Sequence, residues 1–209
     1  SLTAAEQLTS NGKQAEAAAI CKDLQTDKWP AHVRLGAFVG MLGSGGEAAV
    51  DQAITAIGGK DPAMRAAAIS HASKLRGKDV GKRLAAELGK LPADHQALLI
   101  GALGDLGDAA VLPAITKCAA SDNAAVRLAA IRTIGKIGDP GSAKLLCDIA
   151  VGAKDSSEQQ TAVNSLHGLN GDNVNATIVA SMKAAPATAK PKLIEALVTR
   201  KATDAIGDL

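Results

Sequence analysis

Along this chain a polar residue is followed four positions later by an apolar one and three positions after that by another, and the motif returns at a fixed interval. Its polar anchors are Arg34, Arg65, Gln96, Arg127, Gln159 and Lys190, separated by 31, 31, 31, 32 and 31 residues. Four positions after each stand Phe38, Ile69, Ile100, Ile131, Val163 and Ile194, and seven after each stand Met41, Ala72, Leu103, Ile134, Leu166 and Leu197. A register held over six copies is the signature of a repeat architecture, in which each unit is too small to bury its own apolar face and stacks on its neighbours.

Residues 122–153 show how one unit is built. Val126, Ala130, Ile131, Ile134 and Ile137 are spaced by threes and fours and form one stripe of a first helix. Asn123 or Asp122 can cap its start; related positions carry Asp61 before Pro62, Pro92, Asp155 and Pro186, proline being tolerated in a first turn because the N–H it lacks would have no intrahelical partner there. Gly138 is expected to end the helix in the left-handed conformation, with Asp139 capping the next helix. That Gly-Asp turn returns as Gly107-Asp108 and Gly171-Asp172, loosens to Gly77-Lys78-Asp79, and is replaced by Gly43-Ser44-Gly45-Gly46 in one repeat. The second helix of each unit has apolar positions such as Val50, Ile54 and Ile57, or Leu84 and Leu88, or Val174, Ile178 and Met182. Each repeat is therefore expected to be an antiparallel helical hairpin.

The stretch DNAAVRLAAIRTIGKIGDPGSAKLLCDIA resembles a HEAT-like repeat of the short, roughly 31-residue kind also seen in phycobilisome lyases, and the resemblance covers about residues 30–209. It implies an all-α fold, a right-handed α-α superhelix or solenoid of about six to seven helical hairpins. The expected organisation is an N-terminal hairpin or cap over 1–29, then repeats at 30–60, 61–91, 92–121, 122–153, 154–185 and a truncated 186–209. In the cap, residues 4–10 and 13–26 read as two helices around Asn11-Gly12, faintly tetratricopeptide-like. Because the chain stops at IGDL inside a second helix, a longer parent protein is expected.

Composition narrows the chemistry. With one Phe, one Trp and no Tyr beside 21 Gly, the core must be thin and close-packed, and neither aromatic hot spots nor base-stacking platforms are written into it. A net charge of +2, from 23 basic and 21 acidic residues spread along the chain, lacks the concentrated field of a nucleic-acid binder. Cys21, Cys118 and Cys147 lie in apolar helical contexts without paired spacing, so they read as free buried thiols. No apolar run reaches the roughly 20 residues of a membrane span, and no membrane insertion is expected. A cytoplasmic protein is the favoured expectation, with export left open because Ser1 and Leu2 could mark a removed segment.

Some HEAT-like proteins are enzymes, but the residues their chemistry needs do not stand in this chain. HEAT-like deoxyhypusine hydroxylases hold two irons with His-Glu pairs, whereas the four histidines here precede Val33, Ala72, Gln96 and Gly168. HEAT-like alkylpurine glycosylases need a basic aromatic cleft, and this chain offers Trp29 and Phe38 alone. No residue matches a bilin-attachment role. The Gly-rich stretch at residues 43–48 lacks the preceding strand and Lys-Ser/Thr ending of a phosphate loop. No catalytic residue, cofactor or metal ligand is expected.

What remains is the concave surface that such stacks present, lined in this family by the second helices. Counting about 13, 17 and 21 residues beyond each anchor collects Glu47, Asp51, Thr55, Lys78, Lys82, Lys117, Lys144, Asp148 and Asn173, with Lys183 one turn further along. Its lysines suit an acidic segment of a partner protein, although isolated charges on helix faces are also the ordinary solvated surface. The anchors themselves are expected to hydrogen-bond or pair between adjacent repeats. The resulting expectation is a monomeric, non-catalytic protein-interaction scaffold, the alternative being an accessory module of a lyase or other modifying enzyme.

Overall fold

The computed structural model describes residues 7, 11–171 and 173–203. Among them are twelve α-helices and three short 3-10 turns, with no strand, and the all-α expectation holds. The chain divides into two compact units, Ser1–Leu106 and Gly107–Leu209. The boundary falls in the turn of the repeat expected at 92–121, a division that the repeat pattern does not announce. Gly107 there has φ +75°, a left-handed conformation open to glycine at little cost.

The first unit contains α1 (Gln14–Leu24), α2 (Ala31–Ser44), α3 (Gly46–Gly58), α4 (Pro62–His71), α5 (Val80–Ala85) and α6 (Ala93–Leu106). The first helices of successive repeats, α2, α4 and α6, pack side by side, and α3 packs against α2, α4 and α5. Ala17, Cys21 and Leu24 of α1 bury themselves against Ala37 and Met41 of α2, so the segment before the repeats joins the core. The helix expected over residues 4–10 lies outside the described residues except for the helical Gln7.

The second unit contains α7 (Leu112–Cys118), α8 (Ala124–Ile137), α9 (Ser142–Gly152), α10 (Ser156–Gly168), α11 (Val174–Ala184) and α12 (Lys190–Thr199). Here α8, α10 and α12 form one row, α9 and α11 form the other, and the rows are joined by α9 on α10 and α11 on α12. In both units the α-α superhelical expectation is met as hairpin stacked on hairpin. Asp172 and the terminal IGDL lie outside the described residues.

The periodic positions form the core. Ile69, Ile100, Ile131 and Val163 are buried, as are Met41, Ala72, Leu103, Ile134, Leu166 and Leu197; Ile194 is half-buried, and Leu193 beside it is buried instead. The expected caps are present. Asn123 Oδ1 accepts the amides of Ala125 and Val126 at 2.9 and 3.3 Å, and Asp61 Oδ1 those of Ala63 and Met64 at 2.9 and 3.2 Å. Such bonds satisfy backbone donors that a helix start leaves without intrahelical partners.

Two local expectations are corrected. Gly138 is not left-handed: its φ is −67° and its ψ 153°. Glycine is required there by proximity, because a Cβ would meet the carbonyl oxygen of Ile134 and come within 2.9 Å of Leu169 Cδ2. The second helix expected to carry Leu84 and Leu88 ends at Ala85, and Leu88 is buried from a 3-10 turn, Leu88–Lys90. The second helix of the next repeat likewise opens with a 3-10 turn, Ala109–Val111, before α7. Pro113 has no N–H to donate to the Ala109 carbonyl, so an α-helix starting at Ala109 would lack that bond.

Candidate partner-binding surfaces

Four of the six anchors bond at the junctions between repeats. Arg65 Nε donates to the carbonyl of Ile57 at 3.0 Å and its Nη2 to that of Gly59. Gln96 reaches the carbonyl of Leu91 at 3.0 Å, Gln159 that of Ala153 at 2.7 Å, and Arg127 those of Ser121 and Asp122 at 2.8 and 2.9 Å. Each side chain reaches back into the connection from the preceding repeat and satisfies carbonyls that the chain leaves open there. Arg127 also donates through Nη2 to Glu158 Oε1 at 2.6 Å, 31 residues on, pairing with a carboxylate only 6% exposed. For these four of the six anchors the expected structural role is what the bonds show, whereas Arg34 donates to the exposed carboxylate of Asp27 at 2.7 Å.

The same spacing reappears elsewhere. Glu47 of α3 accepts the backbone N–H of Lys78, 31 residues later, and Arg83 of α5 donates to Glu47 Oε2 at 3.0 Å and to Asp51. Arg83 thus clamps two carboxylates one turn apart on α3, and its bond to Asp51 is the first cause holding its own pKa above the usual arginine value. Sequence counting passed over Arg83 because it lies one position beyond the chosen face, next to Lys82. The signal that finds such ties is a pair of opposite charges about one period apart.

The predicted surface residues therefore fall into separate groups. In the first unit Glu47 and Asp51 are engaged by Arg83, while the side chains of Lys78 and Lys82 are exposed. In the second unit Lys144 Nζ donates to Asp148 Oδ2 at 2.6 Å along α9, and Lys117 and Lys183 are exposed. Between α9 and α11 lies an open cleft of about 380 Å³. Val151, Ala180, Ala184 and Pro186 supply its apolar wall, and Lys144, Asp148, Thr177 and Ser181 its polar rim.

The cysteines carry little nucleophilic character. Burial pushes the Cys21, Cys118 and Cys147 thiols above their ordinary values, although Cys118 is only half-buried, against the expectation of three buried thiols. A protonated thiol is a weak nucleophile. Among the described residues no group of three or more His, Cys, Asp or Glu is placed to hold a metal ion, and no helix is long and apolar enough to cross a membrane.

The start of α10 supplies a pH test. Asp155 Oδ1 accepts both the hydroxyl and the amide of Ser157, at 2.6 and 2.7 Å. The hydroxyl bond first, then the amide, holds its carboxyl below the usual carboxylate range. A depressed folded pKa adds stability that is present above the unfolded value and lost as pH falls through the folded one. Asp155→Asn keeps a capping oxygen without the charge. Its thermal midpoint should lie below that of the wild type at neutral pH, and the gap should narrow as pH falls below the usual carboxylate range and the wild-type carboxylate protonates.

Residues 81–167 match the family of HEAT repeats. No curated protein matches the chain. Among solved structures the chain is similar to one described as the complex of CpcE and CpcF of phycocyanin lyase from Nostoc sp. PCC7120, at 16% identity and a TM-score of 0.46, with 96% of this chain and 88% of that chain covered. The match to HEAT repeats falls on residues 81–167, and the 31-residue register and the hairpins stacked in two rows within each unit are the helical-repeat arrangement in which it lies.

Proposed function

We propose that the chain is a non-catalytic protein-interaction scaffold whose partner lies along the second helices. The cleft between α9 and α11 carries this reading: an apolar wall of small side chains inside a rim of hydroxyls and the Lys144–Asp148 pair. An apolar centre with a polar border is the anatomy of a protein interface. Lys117 and Lys183 in the same unit add positive charge that favours an acidic partner segment.

Two variants test it by capture from a lysate of the source organism. Ala180→Trp fills the cleft from an exposed position. The combined Lys117→Glu and Lys144→Glu variant reverses the charge. A protein held by the wild type should be retained at least about tenfold less by Ala180→Trp, a drop equivalent to about 1.4 kcal/mol, and should also be depleted by the charge-reversed variant. Equal retention by all three, at unchanged helical circular dichroism, would overturn the reading.

A further inference from the structure

The turn between α4 and α5 differs from the Gly-Asp turns at Gly107 and Gly138 in both its cap and its charge. Asp108 and Asp139 fold their carboxylates back onto the amides of Ala110 and Ser142, at 2.9 and 3.0 Å. Asp79 makes no such bond: it stands exposed at φ 50° and ψ 31°, a left-handed conformation that aspartate visits more readily than most residues. Near it in sequence come Lys74, Arg76, Lys78 and Lys82, all exposed, and the half-buried Arg83.

These five cations divide by what they hold. Arg83 is paired with Glu47 and Asp51. Arg76 Nη1 donates to the carbonyls of Ser73 and Leu75 within its own turn, at 3.0 and 2.8 Å. Lys74, Lys78 and Lys82 enter no ion pair among the described residues. The main chain that carries them is nonetheless held, because the Lys78 N–H donates to Glu47, Arg76 grips its own turn, and Arg83 ties α5 to α3. Three free ammonium groups thus stand on a backbone fixed before any partner arrives, and a surface ordered in advance loses less freedom on binding.

The carboxylates of the same surface are Glu47, Asp51 and Asp79, and Arg83 already engages the first two. What remains is a positive surface with one exposed acid in it, and its chemistry selects among anions. Leu75 and Val80, the apolar residues of the turn, are buried, so no apolar side chain is offered to a lipid surface. No aromatic residue lies between Lys74 and Arg83 to stack on a base. A peptide bearing carboxylates needs neither feature, only cations held in place.

We propose that the turn from Lys74 to Lys82 docks an acidic segment, rich in Asp or Glu, of a protein partner. The proposal rests on the scaffold reading but uses the first unit and none of the residues of the α9–α11 cleft, so the two fail separately.

The probe is a blocked peptide of three glutamates alternating with glycines, titrated at low salt to about 10 mM into the isotope-labelled chain, a concentration at which a millimolar complex is mostly formed. The amides of residues 76–83 should shift and saturate, and about 0.5 M NaCl should largely abolish the response, because exposed pairs are screened. The glutamine counterpart of the peptide, in matched salt, should bind at least about tenfold more weakly. Lys74→Gln with Lys78→Gln and Lys82→Gln should weaken the glutamate peptide at least about tenfold. Lys22→Gln with Lys28→Gln and Lys60→Gln removes the same charge from exposed positions of the same unit and should change binding less than about twofold. Asp79→Asn keeps a residue tolerant of the left-handed conformation, removes the turn's own anion, and should tighten binding about twofold. The absence of a saturable shift, equal binding of the glutamine peptide, equal losses in the two triple variants, or larger shifts with phosphatidylserine vesicles than with the peptide would each overturn the proposal.

Discussion

Replacing Gly135 with alanine is expected to lower the stability of the second unit by about 3 kcal/mol, the upper end of the usual overpacking cost, and replacement with leucine to prevent it from folding. Gly135 sits where α8 meets α10. A Cβ there would lie 2.6 Å from Ser165 Cβ and 2.7 Å from Ser165 Cα, and on the other side a Cβ at Gly168 would lie 2.5 Å from the Gly135 carbonyl oxygen. No rotamer relieves a clash with backbone. The contact is further held by Ser165 Oγ donating to the Ile131 carbonyl at 3.0 Å. Gly101, also inside a first helix, is the control, because a Cβ there meets nothing within 4 Å. Gly101→Ala should therefore stabilise, by up to about 1 kcal/mol, through helix propensity alone. Urea unfolding followed by circular dichroism reads both signs, and equal effects at the two glycines would refute the close-approach argument.

The second large effect separates two adjacent leucines on α6. Leu99 is fully buried, while Leu98 is 61% exposed. Leu99→Ala removes side-chain volume from a filled core and should cost about 3 kcal/mol through lost transfer energy and the cavity left behind. Leu98→Ala should stay within about 0.5 kcal/mol of the wild type. The same chemical change one position apart thus reports the helical register directly, and comparable losses at both would place α6 on a different face.

The repeat was legible because each unit writes the same apolar stripe, and period alone carries that information. Caps were legible for the same reason: Asn123, Asp61 and Asp155 stand just before their stripes and make the expected bonds. The division at Gly107 was not, since the 31-residue register runs through it without a change. Nor was the local reason for Gly138, because glycines selected for φ and for proximity look alike in one sequence. The candidate surface was read as a list of charges, yet Glu47, Asp51, Lys144 and Asp148 are paired in space.

The bonds made by the anchors have a bearing on how such a chain changes over time. Arg65, Gln96 and Gln159 grip main-chain carbonyls, and every residue type offers one. That grip is indifferent to which side chains the preceding repeat carries, so surfaces can be rewritten without loosening the joint. Arg127 is different, since its second partner is the carboxylate of Glu158. Those two repeats recognise each other by identity, and duplication, loss or exchange of either alone would strand a buried charge that the other junctions never create.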